Sequence, residues 1–332
     1  MNSPLSTTTR EMKKSNIARV TDLLKSLGTA TKGELAQQTG LSSATCGAVL
    51  NELSLTGEVL ALEREASRGG RPAQRYACNP DFFSVLSLYA AGSDEGAELV
   101  WAVSSATGEI LMQGTRPFVP LTLATFDRAL AALLTDWPGV RAIGIGLPGV
   151  IVEDTVAWCD ISLFTGLSVA QRTQQNTGYF TLAGNDLNFT VWGFYRSSCA
   201  EVSAPVAYIY KPGVLCTGCG MVINGQVLSG ASNFAGEVLH LPFNVEGQPS
   251  LVEEMAKTIV SLAALINPLT VAVAGENLQA DQLPDIQRLC QRYVPEKHLP
   301  TLVYRSTIRE DYLQGIADRT LRDYNRYRLY AD

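Results

Sequence analysis

Histidine is nearly missing from this chain: its 332 residues include only two, His240 and His298. That scarcity excludes an imidazole-rich metal centre and leaves few candidates for acid–base work. Charged residues make up 17% and aromatic residues 8%, whereas hydrophobic residues reach 46%. Such a balance supplies a substantial core, and the length suits two or three folding units of an ordinary globular protein. No apolar run approaches the ~18 residues that a membrane span requires, and the opening MNSPLSTTTREMKKSN lacks the apolar core of a signal peptide. A cytoplasmic location without membrane contact is therefore expected. The seven cysteines are scattered and odd in number, which fits reduced thiols better than a disulfide framework.

The formal net charge of −6 speaks against a surface coated by nucleic acid, but the charge is unevenly spread. Residues 1–80 carry 10 Lys/Arg against 7 Asp/Glu, net +3; the remaining 252 carry 16 against 25, net −9. A cut after Pro80 therefore divides a mildly basic head, 1–80, from an acidic body, 81–332.

In the head, Ile17, Val20, Leu23, Leu24 and Leu27 share one face of a helix over 16–27 that Gly28 stops. Thr31 and Glu34 have capping-box spacing for a helix over about 32–38, which ends at Thr39-Gly40. Ser42 caps a third helix reaching Leu55, with Val49, Leu50 and Leu53 inward. Two strands follow, 58–63 and 73–77, around the tip Ala66-Ser67-Arg68-Gly69-Gly70-Arg71-Pro72. Helix-turn-helix plus hairpin reads as a winged helix. In that reading Ser43, Ala44, Thr45, Gly47 and Ala48 approach the major groove. Arg68 and Arg71, on a tip shaped by Gly69 and Gly70, enter the minor groove. Lys13, Lys14, Arg19, Lys32 and Arg75 are candidate phosphate partners. The competing reading is a helical protein-interaction module, against which the basic tip and the charge split weigh.

In the body, apolar strand-like runs alternate with helical patterns, the layout of an α/β unit with a mostly parallel sheet. Strands are expected at 84–89, 98–104, 109–113, 141–146, 179–183, 205–210, 219–223 and 270–274. Helices are expected at 122–136, 168–176, 186–197, 250–266, 284–293 and 308–330, the last amphipathic and packed on the body, with a dimer contact or a dock for the head as alternatives. No internal repeat stands out.

Four segments carry a resemblance. Gly144-Ile145-Gly146-Leu147-Pro148-Gly149-Val150, Gly184-Asn185-Asp186-Leu187-Asn188, the stretch from Asn224-Gly225 through Ala235-Gly236-Glu237-Val238-Leu239-His240, and Ile266-Asn267-Pro268 occur in this order. The pattern resembles the ROK family of repressors and sugar kinases. A winged helix ending in Gly-Gly-Arg-Pro ahead of such a body resembles the family's NagC/Mlc/XylR-type repressors. The resemblance spans about residues 14–325 and implies a two-lobed, actin-like, hexokinase-like ATPase fold with a sugar cleft between the lobes. It also implies that Asn185, Asp186, Glu237 and His240 contact sugar.

The chain departs from the kinase pattern where phosphates would be gripped. By eye, the first phosphate turn falls on Ser93-Asp94-Glu95-Gly96-Ala97, where Glu95 would repel a phosphate. The second falls on Val214-Leu215-Cys216-Thr217-Gly218-Cys219-Gly220, with only two glycines kept. No ATP cofactor and no catalytic residue are expected. The family's zinc loop should follow His240, yet residues 241–253 contain no cysteine, so no metal is expected either. Glu253 or Glu254 is a candidate for the sugar-binding Glu that follows that loop. Cys216 and Cys219 form a lone Cys-x-x-Cys, read as loop filling rather than a zinc half-site or redox pair.

The combined expectation is a DNA-binding repressor of sugar-metabolism genes. It would bind a double-stranded palindromic operator as a homodimer or higher oligomer and answer to a sugar or sugar-phosphate effector. A ROK-type sugar kinase, or a regulator with a vestigial cleft controlled by a protein partner, stays open as an alternative.

Overall fold

The computed structural model describes residues 9–63, 73–93, 96–199, 203–213, 217–245 and 249–330. Local capping sets the head. α1 (Thr9–Leu27) ends at Gly28, whose φ of 71° suits a residue without a Cβ. It begins well before residue 16, because its first turns are solvent-exposed and carry no apolar period to announce them. A short strand, β1 (Thr29–Thr31), leads into α2 (Lys32–Thr39). The Thr31 hydroxyl accepts the Glu34 N–H at 3.2 Å and the Glu34 carboxylate accepts the Thr31 N–H at 2.7 Å, which completes the capping box. α3 (Ser43–Leu55) starts on the Ser42 hydroxyl, 3.0 Å from the Thr45 N–H. β2 (Val59–Ala61) and β3 (Arg75–Cys78) are antiparallel, and the head sheet runs β1-β3-β2. The wing tip, with Arg68, Gly69, Gly70 and Arg71, lies outside the described residues. Val20, Leu24, Leu35, Cys46 and Leu50 form the buried centre of the head.

The body contains two five-stranded sheets of the same topology. The first uses β4 (Ser84–Ser93), β5 (Gly96–Ser105), β6 (Ile110–Pro117), β7 (Val140–Leu147) and β10 (Phe180–Asn185) in the order β10-β7-β4-β5-β6. Between β7 and β10 lie a hairpin, β8 (Gly149–Val152) and β9 (Thr155–Cys159), and α5 (Val169–Thr177); α4 (Leu123–Asp136) precedes β7. After β10 comes α6 (Asp186–Phe194), prolonged by a π-turn over Tyr195–Cys199. The second sheet uses β11 (Val206–Lys211), β12 (Gly218–Ile223), β13 (Gln226–Val227), β14 (Thr270–Gly275) and β15 (Thr301–Arg305) in the order β13-β12-β11-β14-β15. Short α7 (Pro242–Val245), α8 (Leu251–Leu265), α9 (Leu283–Cys290) and α10 (Arg309–Tyr330) complete the chain. In each sheet the first three strands form an antiparallel meander, and on its other side the first strand pairs in parallel with the fourth, which pairs in parallel with the fifth. The repeat is one of topology, invisible to a search for repeated residues.

α6 and α10 form the layer between the two lobes. Phe189 of α6 and Tyr312, Leu313 and Ile316 of α10 pack with Tyr89, Val100 and Ala102 of the first sheet. Val191, Trp192 and Phe194 of α6 pack with Val206 and Tyr208 of the second. The two helices meet backbone to backbone: a Cβ on Gly193 would lie 1.9 Å from the Asp311 carbonyl oxygen. The six cysteines among the described residues are free, and Cys216 lies outside them. No helix among the described residues is long and apolar enough to cross a membrane.

Candidate functional site

The sugar-type residues gather where β7 and β10 end. These strands are parallel, with Asn185 level with Leu147, so the turns after both open into the same crevice. Asn185 is the N-cap of α6: its Oδ1 accepts the Asn188 N–H at 2.9 Å. Its Nδ2 donates to the Gly149 carbonyl and to Asp186 Oδ1, both at 2.9 Å. The amide is thus largely committed to holding Asp186 and the Gly149 turn, and it is Asn185 rather than Asp186 that caps the helix.

Asp186, Asp160 and Glu237 line one cavity of about 210 Å³. Desolvation raises the Asp186 carboxyl to about 7; the Leu187 N–H opposes this, while the charges of Asp160 and Glu237 add to it. Burial also raises Asp160 and Glu237, the latter opposed by His240. Glu237 is placed by its neighbour. Gly236 has φ 100°, and a Cβ there would lie 1.8 Å from the Cys219 carbonyl oxygen, so only glycine lets this loop lie against β12. Asn233 donates to the Ile151 carbonyl at 2.8 Å, which ties the same loop to β8 across the crevice. Trp158 of β9 lines the cavity with 52% of its surface exposed.

His240 does not join them. It is exposed, absent from the cavity lining, and its ring centroid lies 5.2 Å from that of Phe234. Neither Glu253 nor Glu254 reaches the cavity: Glu253 closes a capping box with Ser250, and Glu254 is buried against Lys211 at 2.8 Å. Asp160 and Trp158 were not anticipated, because no motif marks them; only an aromatic in an alternating strand hints at Trp158.

The two segments expected to grip phosphates are described only at their edges. Lys211 Nζ lies 3.3 Å from the Thr217 hydroxyl, and both bond the buried Glu254, which ties the end of β11 to the residue before β12; residues 214–216 between them lie outside the described residues. At the first motif, Ser93 pairs directly with Gly96, and Asp94 and Glu95 lie outside the described residues. Among the described residues no group of three or more His, Cys, Asp or Glu could hold a metal ion. Burial pushes the Cys219 thiol up to about 12, which suits an inert filler.

In the head, Ser43, Ala44 and Ala48 are exposed on α3, and Thr45 and Gly47 are half-buried. The Thr45 hydroxyl bonds Ser42 at 2.8 Å, and the Lys32 stem lies 3.1 Å from where a Gly47 Cβ would be. Three presumed phosphate partners have intramolecular duties. Lys13 pairs with Glu52 at 2.8 Å, Arg19 donates to the Thr39 carbonyl, and Arg75 donates to Thr29 at 3.2 Å. Lys14 sits over the Tyr330 ring at 5.1 Å.

The fold is that of ROK-family regulators, with a body shared by ROK sugar kinases, and it bears out the resemblance read from the sequence. A solved ROK family transcriptional regulator, a homologue of the E. coli MLC protein, superposes over 97% of this chain and 100% of its own, with TM-score 0.75 and 16% identity. A ROK hexokinase from Thermus thermophilus matches 74% of this chain and 99% of its own, with TM-score 0.58 and 17% identity. Among curated proteins, the xylose repressor of Caldicellulosiruptor bescii is 24% identical over 228 residues, 64% of this chain. The chain spans only 55% of that relative's length. No protein-family model matches the chain.

Proposed function

We propose that the chain is a transcriptional repressor of sugar-metabolism genes. In this reading residues 1–80 read a double-stranded operator, and residues 81–332 hold a sugar effector and pair two copies. The observation that carries it is the union, in one chain, of a head with a small-residue helix face at Ser43, Ala44 and Ala48 and a cleft lined by Asp160, Asp186 and Glu237. Small side chains let α3 approach base edges, and the flanking arginines of the tip supply minor-groove contacts. Three carboxyl groups beside an exposed indole suit a ligand with several hydroxyls and an apolar ring face. The cavity is smaller than the ~300–1,000 Å³ of pockets for drug-sized ligands, which favours a monosaccharide.

A sugar-kinase reading has the fold in its favour, since solved ROK kinases share the body. Against it stand the departures in sequence at both phosphate segments, Glu95 in the first and only Gly218 and Gly220 kept in the second, with Lys211 and Thr217 both engaged by Glu254. Asp186 could serve as a base for a sugar hydroxyl, but both phosphate-gripping motifs are broken in the sequence, so no phosphoryl donor is expected beside it. In the repressor reading it binds and orients. Band shifts on the DNA flanking the gene test this: a salt-sensitive, sequence-selective complex supports the proposal. Sugar-dependent ATP turnover abolished by Asp186→Asn would establish the kinase instead.

A further inference from the structure

Between the head and the body lies a second cavity of about 520 Å³, with walls from three separate parts of the chain. Thr21 and Asp22 of α1 form one wall, the turn at Gly225 and Gln226 another, and the last turns of α10 the third. The body as a whole is acidic, yet residues 319–330 hold four arginines and one aspartate. Two of the arginines are occupied: Arg319 reaches Asp323 at 4.0 Å and Arg328 reaches Glu58 at 2.6 Å. The other two, Arg322 and Arg326, stand one helical turn apart on the lining and are exposed; among the described residues neither pairs with a carboxylate.

The crowding continues behind them. The guanidinium groups of Arg196, Arg319 and Arg322 all lie within 6.0 Å of the Trp192 ring centroid, and Asp318 answers only Arg196, at 3.6 Å. On the opposite wall the acid left over is Asp22, which also acts on Lys25, its neighbour one turn on. Like charges one turn apart repel, and an anion between them removes that repulsion.

We propose that this joint is a binding site for a small phosphate monoester. Arg322 and Arg326 grip the phosphate, and the Gln226 and Asn325 amides face its hydroxyl-bearing remainder. Two planar forks suit a dianion with three free oxygens, whose second charge answers both guanidinium groups where a carboxylate carries only one. Because the walls belong to head and body, a bound ester clamps α1 to α10 and fixes the tilt of the head. The site is separate from the Asp186 cleft and does not depend on what that cleft binds.

Calorimetry of the full chain with inorganic phosphate and with glycerol 3-phosphate, at ionic strength held constant with chloride, tests the site. Saturable binding is expected for both. Arg322→Gln with Arg326→Gln should weaken it at least tenfold, the paired lysine variant less, and Asp186→Asn not more than twofold. Both arginines are exposed, so the glutamine variant should melt where the parent does in phosphate-free buffer. Absence of saturable binding overturns the proposal, as does binding indifferent to the paired glutamine substitution. Binding lost in Asp186→Asn would move the phosphate to the cleft and equally overturn it.

Discussion

The Arg328 guanidinium lies 2.6 Å from the Glu58 carboxylate, joining the last turn of α10 to the head across 270 residues of sequence. The same guanidinium stands 5.1 to 5.7 Å from the ring centroids of Phe82, Phe83 and Tyr324, and Leu329 beside it packs against the head core. α10 also runs along α6, whose first residue is Asp186 of the cleft. One pair of packed helices thus leads from the Asp186 cavity to the head, a physical route for coupling the two.

Glu58→Gln should lower stability by ~1–2 kcal/mol, because Arg328 would keep its charge in a partly buried cage without its anion. Denaturant titration of the single and double variants, Glu58→Gln and Arg328→Met, measures the pair. A coupling energy of about 1 kcal/mol or more is expected, and additive effects would mean that the contact contributes nothing.

Asp186 gives the stability a pH signature. Its folded pKa is raised to about 7, above its ordinary value of 3.8. Between these values the folded protein holds a proton that the unfolded chain has lost, so this group's contribution to stability declines as pH rises from about 4 to about 7. Asp186→Asn removes the decline. Relative to the parent, the variant should gain of order 1–2 kcal/mol at pH 8, a figure reduced for solvent at the open side of the cleft, and gain nothing at pH 4. Melting curves across that range provide the check, and a constant offset at every pH would be the contrary result.

The cavity and the family resemblance disagree about His240, and a thermal-shift screen with a sugar panel decides between them. For whichever sugar stabilises the protein, Asp186→Ala and Glu237→Ala should weaken binding tenfold or more. His240→Ala should change it less than threefold, since that ring faces Phe234 outside the lining.

A zinc chelator should leave the melting temperature unchanged to within about 1 °C. A structural zinc contributes directly to folding, so its removal would lower the transition by far more.

Local backbone chemistry was legible in the sequence. Thr31 with Glu34, Gly40, Ser42 and Gly28 each mark a helix end by interactions within a few residues, and all four occur where read. Asn185, Asp186 and Glu237 were legible through family resemblance. Asp160 and Trp158 were not, because their hairpin turns on Glu153 and Asp154, both at positive φ, without the glycine that would announce such a turn. The role of Asn185 as helix cap and anchor was hidden because it depends on the Gly149 carbonyl, 36 positions away. The repeated sheet order and the Arg328–Glu58 joint are likewise products of tertiary packing that residue periodicity does not encode.

The central claim is that a sugar in the Asp186 cleft controls an operator-bound head. Fluorescence anisotropy of labelled DNA from beside the gene, titrated with the full chain with and without each sugar, tests it most directly. The account predicts a complex that weakens steeply with salt, is abolished by Ala48→Glu, and is weakened tenfold or more by one sugar in the parent but not in Asp186→Ala. A sequence-indifferent complex, or a selective one that no sugar alters, would contradict it.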